Sequence, residues 1–209
     1  MLTLNCPSCG AIVEFRSKAS VFAVCSYCKA TLVRQDMNLT NIGKMADLKY
    51  DMTPLQIGCF GNYNGARFEL IGRLKVGYSE GFWNEWYALF ADERTAWLAE
   101  AQGFYALCFA VQAIALPDKD DLQPGMVVDL RKAGFFNVDD IRSVKCLFSE
   151  GELPVNAVQG RQSLSVDLIG QDNQMATIEY AHEETRVFAG EYQDFDTFRF
   201  SNLRVIDGW

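Results

Sequence analysis

A chain of 209 residues in which 49% are apolar and 22% charged has the composition of a globular protein, and fifteen Phe, eight Tyr and four Trp exclude disorder as its main state. The longest apolar stretch, Phe104 to Leu116, is broken by Gln112 and falls short of the ~20 residues a membrane-spanning helix needs. The net charge of −8 is uneven, +3 over residues 1–50 and −11 beyond, so the acidic body disfavours contact with a phosphate backbone.

In chain order, Met1-Leu2-Thr3-Leu4-Asn5 has neither the basic region nor the apolar core of an export signal. Seven cysteines in such a chain point to metal or free thiols rather than disulfides, and to the cytoplasm. Cys6-Pro7-Ser8-Cys9-Gly10 and Cys25-Ser26-Tyr27-Cys28 make a C-x2-C-x15-C-x2-C pattern, the spacing of a four-thiolate zinc site. Thiolates two residues apart reach one ion from a tight turn whose amides donate to the sulfurs, and Gly10 frees the turn's dihedrals. Four thiolates leave no open position for water, so Zn2+ at Cys6, Cys9, Cys25 and Cys28 is expected to be structural, with rubredoxin-like iron as the other metal such a set holds. Ala11 to Phe15 and Val21 to Val24 read as a hairpin, with Thr31 to Val33 as a third strand. So small a piece would fold on metal-binding free energy, on the order of 10 kcal/mol or more. Residues 1–35 are therefore read as a zinc ribbon. Its cations (Arg16, Lys18, Lys29, Arg34) are few, which favours a protein over a nucleic acid as its contact.

Residues 36–53 read as a connector, with apolar positions at roughly helical spacing from Leu39 to Leu48. The chain then looks duplicated. Leu55-Gln56-Ile57-Gly58 recurs as Leu122-Gln123-Pro124-Gly125, a shift of 67, and Ala96-Trp97-Leu98 lies over Ala176-Thr177-Ile178 at a shift of 80. The extra residues of the second copy fall most naturally around Phe148 to Pro154. Short strands are expected in both copies: Phe68–Leu74, Glu85–Phe90, Ala96–Glu100 and Phe104–Phe109, then Met126–Leu130, Phe135–Val138, Ser143–Phe148, Leu164–Ile169, Met175–Tyr180, Arg186–Ala189 and Phe198–Leu203. The expected fold is mainly β: the ribbon, then two tandem small antiparallel β-barrel or sandwich-like repeats over residues 54–117 and 118–209. Whether the repeats share one sheet is left open.

Together the CPxCG ribbon, Leu55-Gln56-Ile57-Gly58, Trp83-Asn84-Glu85-Trp86-Tyr87, Trp97 to Gly103, Glu150-Gly151-Glu152-Leu153-Pro154 and Ala176 to Tyr180 resemble the bacterial family known as domain of unknown function 4178. The resemblance implies no established reaction and assigns no residue a catalytic role. It implies a gene setting beside polyamine-synthesis-like enzymes, a small membrane protein family and phage-shock-type membrane-remodelling proteins, hence a membrane-stress or polyamine-linked system.

The residues themselves offer little catalytic chemistry. The single histidine, His182, sits in an acidic turn, Cys59, Cys108 and Cys146 lie in apolar surroundings, and no phosphate loop, nucleophile elbow or zinc-protease helix is present. No enzyme is expected. Recognition is expected at Trp83, Glu85, Trp86, Tyr87 and Trp97, with Phe82, Glu80, Asp92 and Glu93 nearby, since ring faces and carboxylates both attract cations. Strand alternation divides this group, with Trp86, Ala88 and Phe90 on one face and Glu85, Tyr87 and Leu89 on the other. Three functions follow. The favoured one is a non-enzymatic adaptor docking a protein partner through the ribbon and the aromatic surface, without membrane insertion. The second is a sensor for a polyamine-like cation, and the third a nucleic-acid-binding ribbon using Arg16 and Lys18.

Overall fold

The computed structural model describes residues 1–46, 52–112, 116–182 and 184–206. Five strands build the N-terminal piece: β1 (Leu2–Asn5), β2 (Ile12–Phe15), β3 (Phe22–Val24), β4 (Ala30–Gln35) and β5 (Asn38–Lys44). The hairpin expected between residues 11–15 and 21–24 is replaced by two separate pairings. β2 pairs with β1, whose Leu2 and Leu4 alternate onto the small core, whereas β3 pairs with β4. The helical turn expected after residue 36 is also corrected. Asp36-Met37 is a two-residue turn with Asp36 at φ +53°, which returns the chain as β5 along β4. Asp47 and Leu48, the end of that expected helix, lie outside the described residues.

The body continues with β6 (Phe60–Tyr63), β7 (Ala66–Tyr78), β8 (Gly81–Phe90), β9 (Thr95–Ala101), β10 (Phe104–Ala110), β11 (Val127–Asp129), β12 (Phe135–Leu153), β13 (Gln162–Ile169), β14 (Gln174–Ala181) and β15 (Thr185–Gln193). β7 to β10 form one antiparallel meander and β12 to β15 another. The last strands pair with each other, β10 with β15, and so do the first, β7 with β12. The result is one closed eight-stranded barrel, to which each of the two expected β units supplies four strands. The offset of 80 falls on β9 and β14, the third strand of each meander.

Two expected strands, Phe135–Val138 and Ser143–Phe148, merge into the single β12, which crosses the Asp139-Asp140 break by a bulge. Glu150-Gly151 continues along β7 and Glu152-Leu153 pairs with β3, so the stretch expected to hold the second copy's extra residues is strand. The strand expected at Phe198–Leu203 is a short helix, Phe195–Phe198, followed by a single bridge from Ser201 to Phe60.

Both faces of the barrel wall are covered. Outside, Leu55, Cys59 and Phe198 bury Leu70, Trp86, Leu98 and Leu107, while Leu122, Val128 and Leu130 bury Val138, Val166, Leu168 and Ile178. Tight curvature brings backbones close: a Cβ on Gly190 would lie 1.9 Å from the Leu107 carbonyl oxygen. Gly190→Ala is therefore expected to cost about 2–3 kcal/mol, read as a lowered urea midpoint at unchanged slope. An unaltered midpoint would contradict this packing.

Candidate functional site

The two cysteine turns are near copies. Gly10 N–H donates to Cys6 O (2.8 Å) with Gly10 at φ +76°, and Lys29 N–H donates to Cys25 O (3.0 Å) with Lys29 at φ +61°. The turns bring Cys6, Cys9, Cys25 and Cys28 together, all four sulfurs lying within 4.8 Å of one another. A tetrahedral ion about 2.3 Å from each sulfur sets sulfur–sulfur edges of about 3.8 Å. Cys6 Sγ–Cys28 Sγ and Cys9 Sγ–Cys25 Sγ each measure 3.8 Å, well beyond the ~2.05 Å of a disulfide. Burial resists ionisation of Cys6, but the Ser8 and Cys9 amides and neighbouring thiols prevail and bring it to about 7. Cys9 is favoured by a backbone bond at Ala11, yet burial and the other three sulfurs push it up to about 12. Four thiolates this close need a cation among them, and the set is compatible with zinc.

The loop after β2 anchors this unit on the barrel. The buried Glu152 carboxylate accepts N–H bonds from Arg16 (2.9 Å) and Ser17 (3.1 Å) and pairs with Arg16 Nε at 3.2 Å, while Arg16 Nη1 reaches Glu69 at 2.5 Å. Lys18 pairs with Glu93 at 2.6 Å, and Phe22 is fully buried beside Ile71, Tyr87 and Leu153. Arg16 is thus an internal anchor, and the basic ribbon and acidic body are charge-complementary within one chain.

The second site is the barrel interior. On β13 the apolar residues Val166 and Leu168 face the outer cover, and Ser163, Ser165 and Asp167 face inward. An inner cavity of about 70 Å³ lies among Trp83, Glu85, Trp97, Cys108, Arg161, Met175, Glu179 and Arg186. It adjoins an open mouth of about 560 Å³ lined by Phe104, Asp139, Asp140, Arg142, Asp167 and Tyr192, and Trp83 and Glu85 border both spaces. Trp83 Nε1 donates to Glu85 Oε1 at 2.9 Å. Burial, with the Glu179 charge adding to it, raises Glu85 to about 7 against the opposing Trp83 bond and Arg186 charge. Asp167 is also raised by burial, although Arg142 and the hydroxyls of Ser165 and Thr177 pull it down. Among the described residues neither Glu85 nor Asp167 has an ion-pair partner. Glu179 contrasts with them: Arg161 Nη1 at 2.7 Å and Arg186 Nη2 at 2.5 Å outweigh its burial and hold it below the usual range.

The five residues expected to form one recognition surface are divided. Trp83, Glu85 and Trp97 line the lumen. Tyr87 is buried at its ribbon end, 3.2 Å from Ser17 Oγ and with its ring 5.2 Å from Trp97. Trp86 faces the opposite way, fully buried, with Nε1 donating to Glu100 at 2.9 Å and Arg73 stacked at 4.7 Å. Asp92 and Glu93 occupy the turn at this same ribbon end, tied to Arg94 and Lys18. Asp167, Glu179, Arg161 and Arg186 escaped the sequence reading, although the Ser163-Ser165-Asp167 alternation was their signal. The buried thiols are poor nucleophiles, since burial pushes Cys108 and Cys146 up to about 12 and raises Cys59. His182 is exposed, outside the lumen lining.

No curated protein and no solved structure matches the chain. Among the described residues no helix is long and apolar enough to cross a membrane. A family model described as Domain of unknown function (DUF4178) matches residues 56–195, from just before β6 to just past β15. That span holds the whole barrel and two thirds of the chain, and the chain accordingly belongs to the DUF4178 family.

Proposed function

We propose that this protein binds a small organic cation, with its ammonium group against Glu85 and Asp167 at the barrel mouth, and that the zinc ribbon is its structural cap. The observation that carries this reading is the pair of deeply set carboxylates that form no ion pair among the described residues, beside Trp83 and next to a mouth rimmed by Phe104 and Tyr192. An ionised carboxylate removed from water needs a positive partner, and a neighbouring ring face strengthens the attraction. An eight-stranded barrel is also of the size that holds one small ligand. A polyamine is one such cation. Binding rather than catalysis is supported by the unreactive thiols and by a histidine that does not line the lumen. The adaptor reading named two docking surfaces; Arg16 and Phe22 of one, and Trp86 and Tyr87 of the other, are engaged inside the chain. A partner would have to use other residues.

Calorimetric titration with pentylamine and with spermidine tests the proposal. Heat of binding is expected for the wild type at pH 8, with a loss of at least tenfold in affinity in Trp83→Ala. Absence of heat from both amines in folded wild-type protein would remove the reading.

A further inference from the structure

The inner cavity differs in charge from the mouth. Arg161, Glu179 and Arg186 border the cavity and not the mouth, and this trio carries two positive charges against one negative. Each guanidinium has five N–H donors in a fixed fork. Among the described residues Arg161 gives Nη1 to Glu179, and Arg186 gives Nη2 to Glu179. Among the described residues Arg186 Nε is buried without a hydrogen bond and has only the Glu184 carboxylate, 3.4 Å away, as an ion-pair contact. Donors therefore remain beside an enclosed space, a few strands from Glu85, a carboxylate that forms no ion pair among the described residues. Buried donors want acceptors, and an anionic acceptor receives the strongest bonds.

We infer that the lumen takes an aminocarboxylate, its ammonium group at Glu85 and its carboxylate at the guanidinium groups of Arg161 and Arg186. This rests on the cation-binding reading and narrows it to a ligand with opposite charges at its two ends. The apolar surfaces of Trp97, Cys108 and Met175, which line the same cavity as the charged groups, suit the methylene chain of such a ligand. The lumen's own charges favour this dipolar ligand twice over. A simple amine would leave the arginine donors unfilled, and a simple acid would meet Glu85.

The test compares ω-amino acids from 3-aminopropanoate to 6-aminohexanoate with the unsubstituted amine and unsubstituted acid of each chain length. Wild-type protein is expected to bind at least one amino acid of the series about tenfold or more tighter than its matched amine, with the acids weakest. In Arg161→Met and in Arg186→Met, each checked for fold by circular dichroism, that preference is expected to fall to about twofold or less while amine affinity is kept. An amine that binds as tightly as every matched amino acid overturns the inference and leaves cation binding standing. Failure of amines and amino acids alike overturns both. A preference that persists in both arginine variants also overturns the assignment, and if the variants do not fold, the wild-type comparison alone decides.

Discussion

Glu85→Gln is expected to abolish amine binding and, at pH 8, to make the unliganded protein more stable than wild type by about 2 kcal/mol. The two effects share one cause. Glu85 titrates at about 7 in the folded chain against an ordinary 4.5, so folding raises its affinity for a proton. Each tenfold gain in proton affinity is worth about 1.4 kcal/mol, and residual lumen hydration reduces the total. The sign is fixed by linkage: where the folded state binds the proton more tightly, stability falls as pH rises. The wild type therefore keeps its full contribution below pH 4.5 and loses it between pH 4.5 and 7. Glutamine is neutral throughout and can still accept the Trp83 N–H. Urea unfolding at pH 4.5 and pH 8 measures the gap, which should be near zero at the first and about 2 kcal/mol at the second. The charges facing this carboxyl group (Glu179, Arg186 and Asp167) are common to both proteins and cancel in the comparison. A gap of the same size at both pH values would show that Glu85 is not the titrating group. Pentylamine should narrow the gap at pH 8 by stabilising only the wild type, because a ligand held by the native state alone adds stability by mass action.

Removal of metal by a strong chelator, or Cys9→Ser, is expected to unfold residues 1–46 while β7 to β15 remain folded but less stable by several kcal/mol. The cluster ties both ends of the ribbon loop together, and a four-thiolate site supplies folding free energy on the order of 10 kcal/mol. The barrel's share of the loss has named sources. Glu152 would be left as a buried carboxylate without its Arg16 and Ser17 donors, and the pocket filled by Phe22 would open onto Tyr87 and Leu153. Hydrogen exchange read by mass spectrometry separates the parts: fast exchange is expected over the ribbon and continued protection over the eight barrel strands. Unchanged protection of residues 1–46 without metal would mean the ribbon does not depend on its ion. Elemental analysis of the untreated protein should give about one zinc per chain, and iron in its place would correct the metal while leaving the site.

The cysteine site was legible because everything needed to build it is local: two turns, each closed within five residues. Strand positions were legible for the same reason, since alternation is a property of neighbouring residues. Alternation establishes two faces without stating which one turns inward. Here both sides of the wall are covered, so Val166 and Leu168 pack beneath residues 116–134 while Ser165 and Asp167 enter the lumen, and Trp86, next to Glu85 in sequence, lies on the opposite side of the barrel wall. The Phe148 to Pro154 stretch read as the place of extra residues because its partners, β7 and β3, lie far away in sequence. Glu152, which anchors the ribbon, was therefore invisible as a site until the strand that carries it was seen to continue.

The closure of first strand to first and last to last has a kinetic side. While the chain is being made, β10 and the part of β7 beyond its β6 pairing are open edges, and the strands that satisfy them, β15 and β12, come later. Those pairings are far apart in sequence, so their loops must close before contacts can repay the entropy, which places folding among the slower, non-local topologies. Until then each half presents edges that fit the complementary half of a neighbouring molecule. Two chains could exchange halves and build two complete barrels from the same contacts, a hazard that grows with the concentration of incomplete chains.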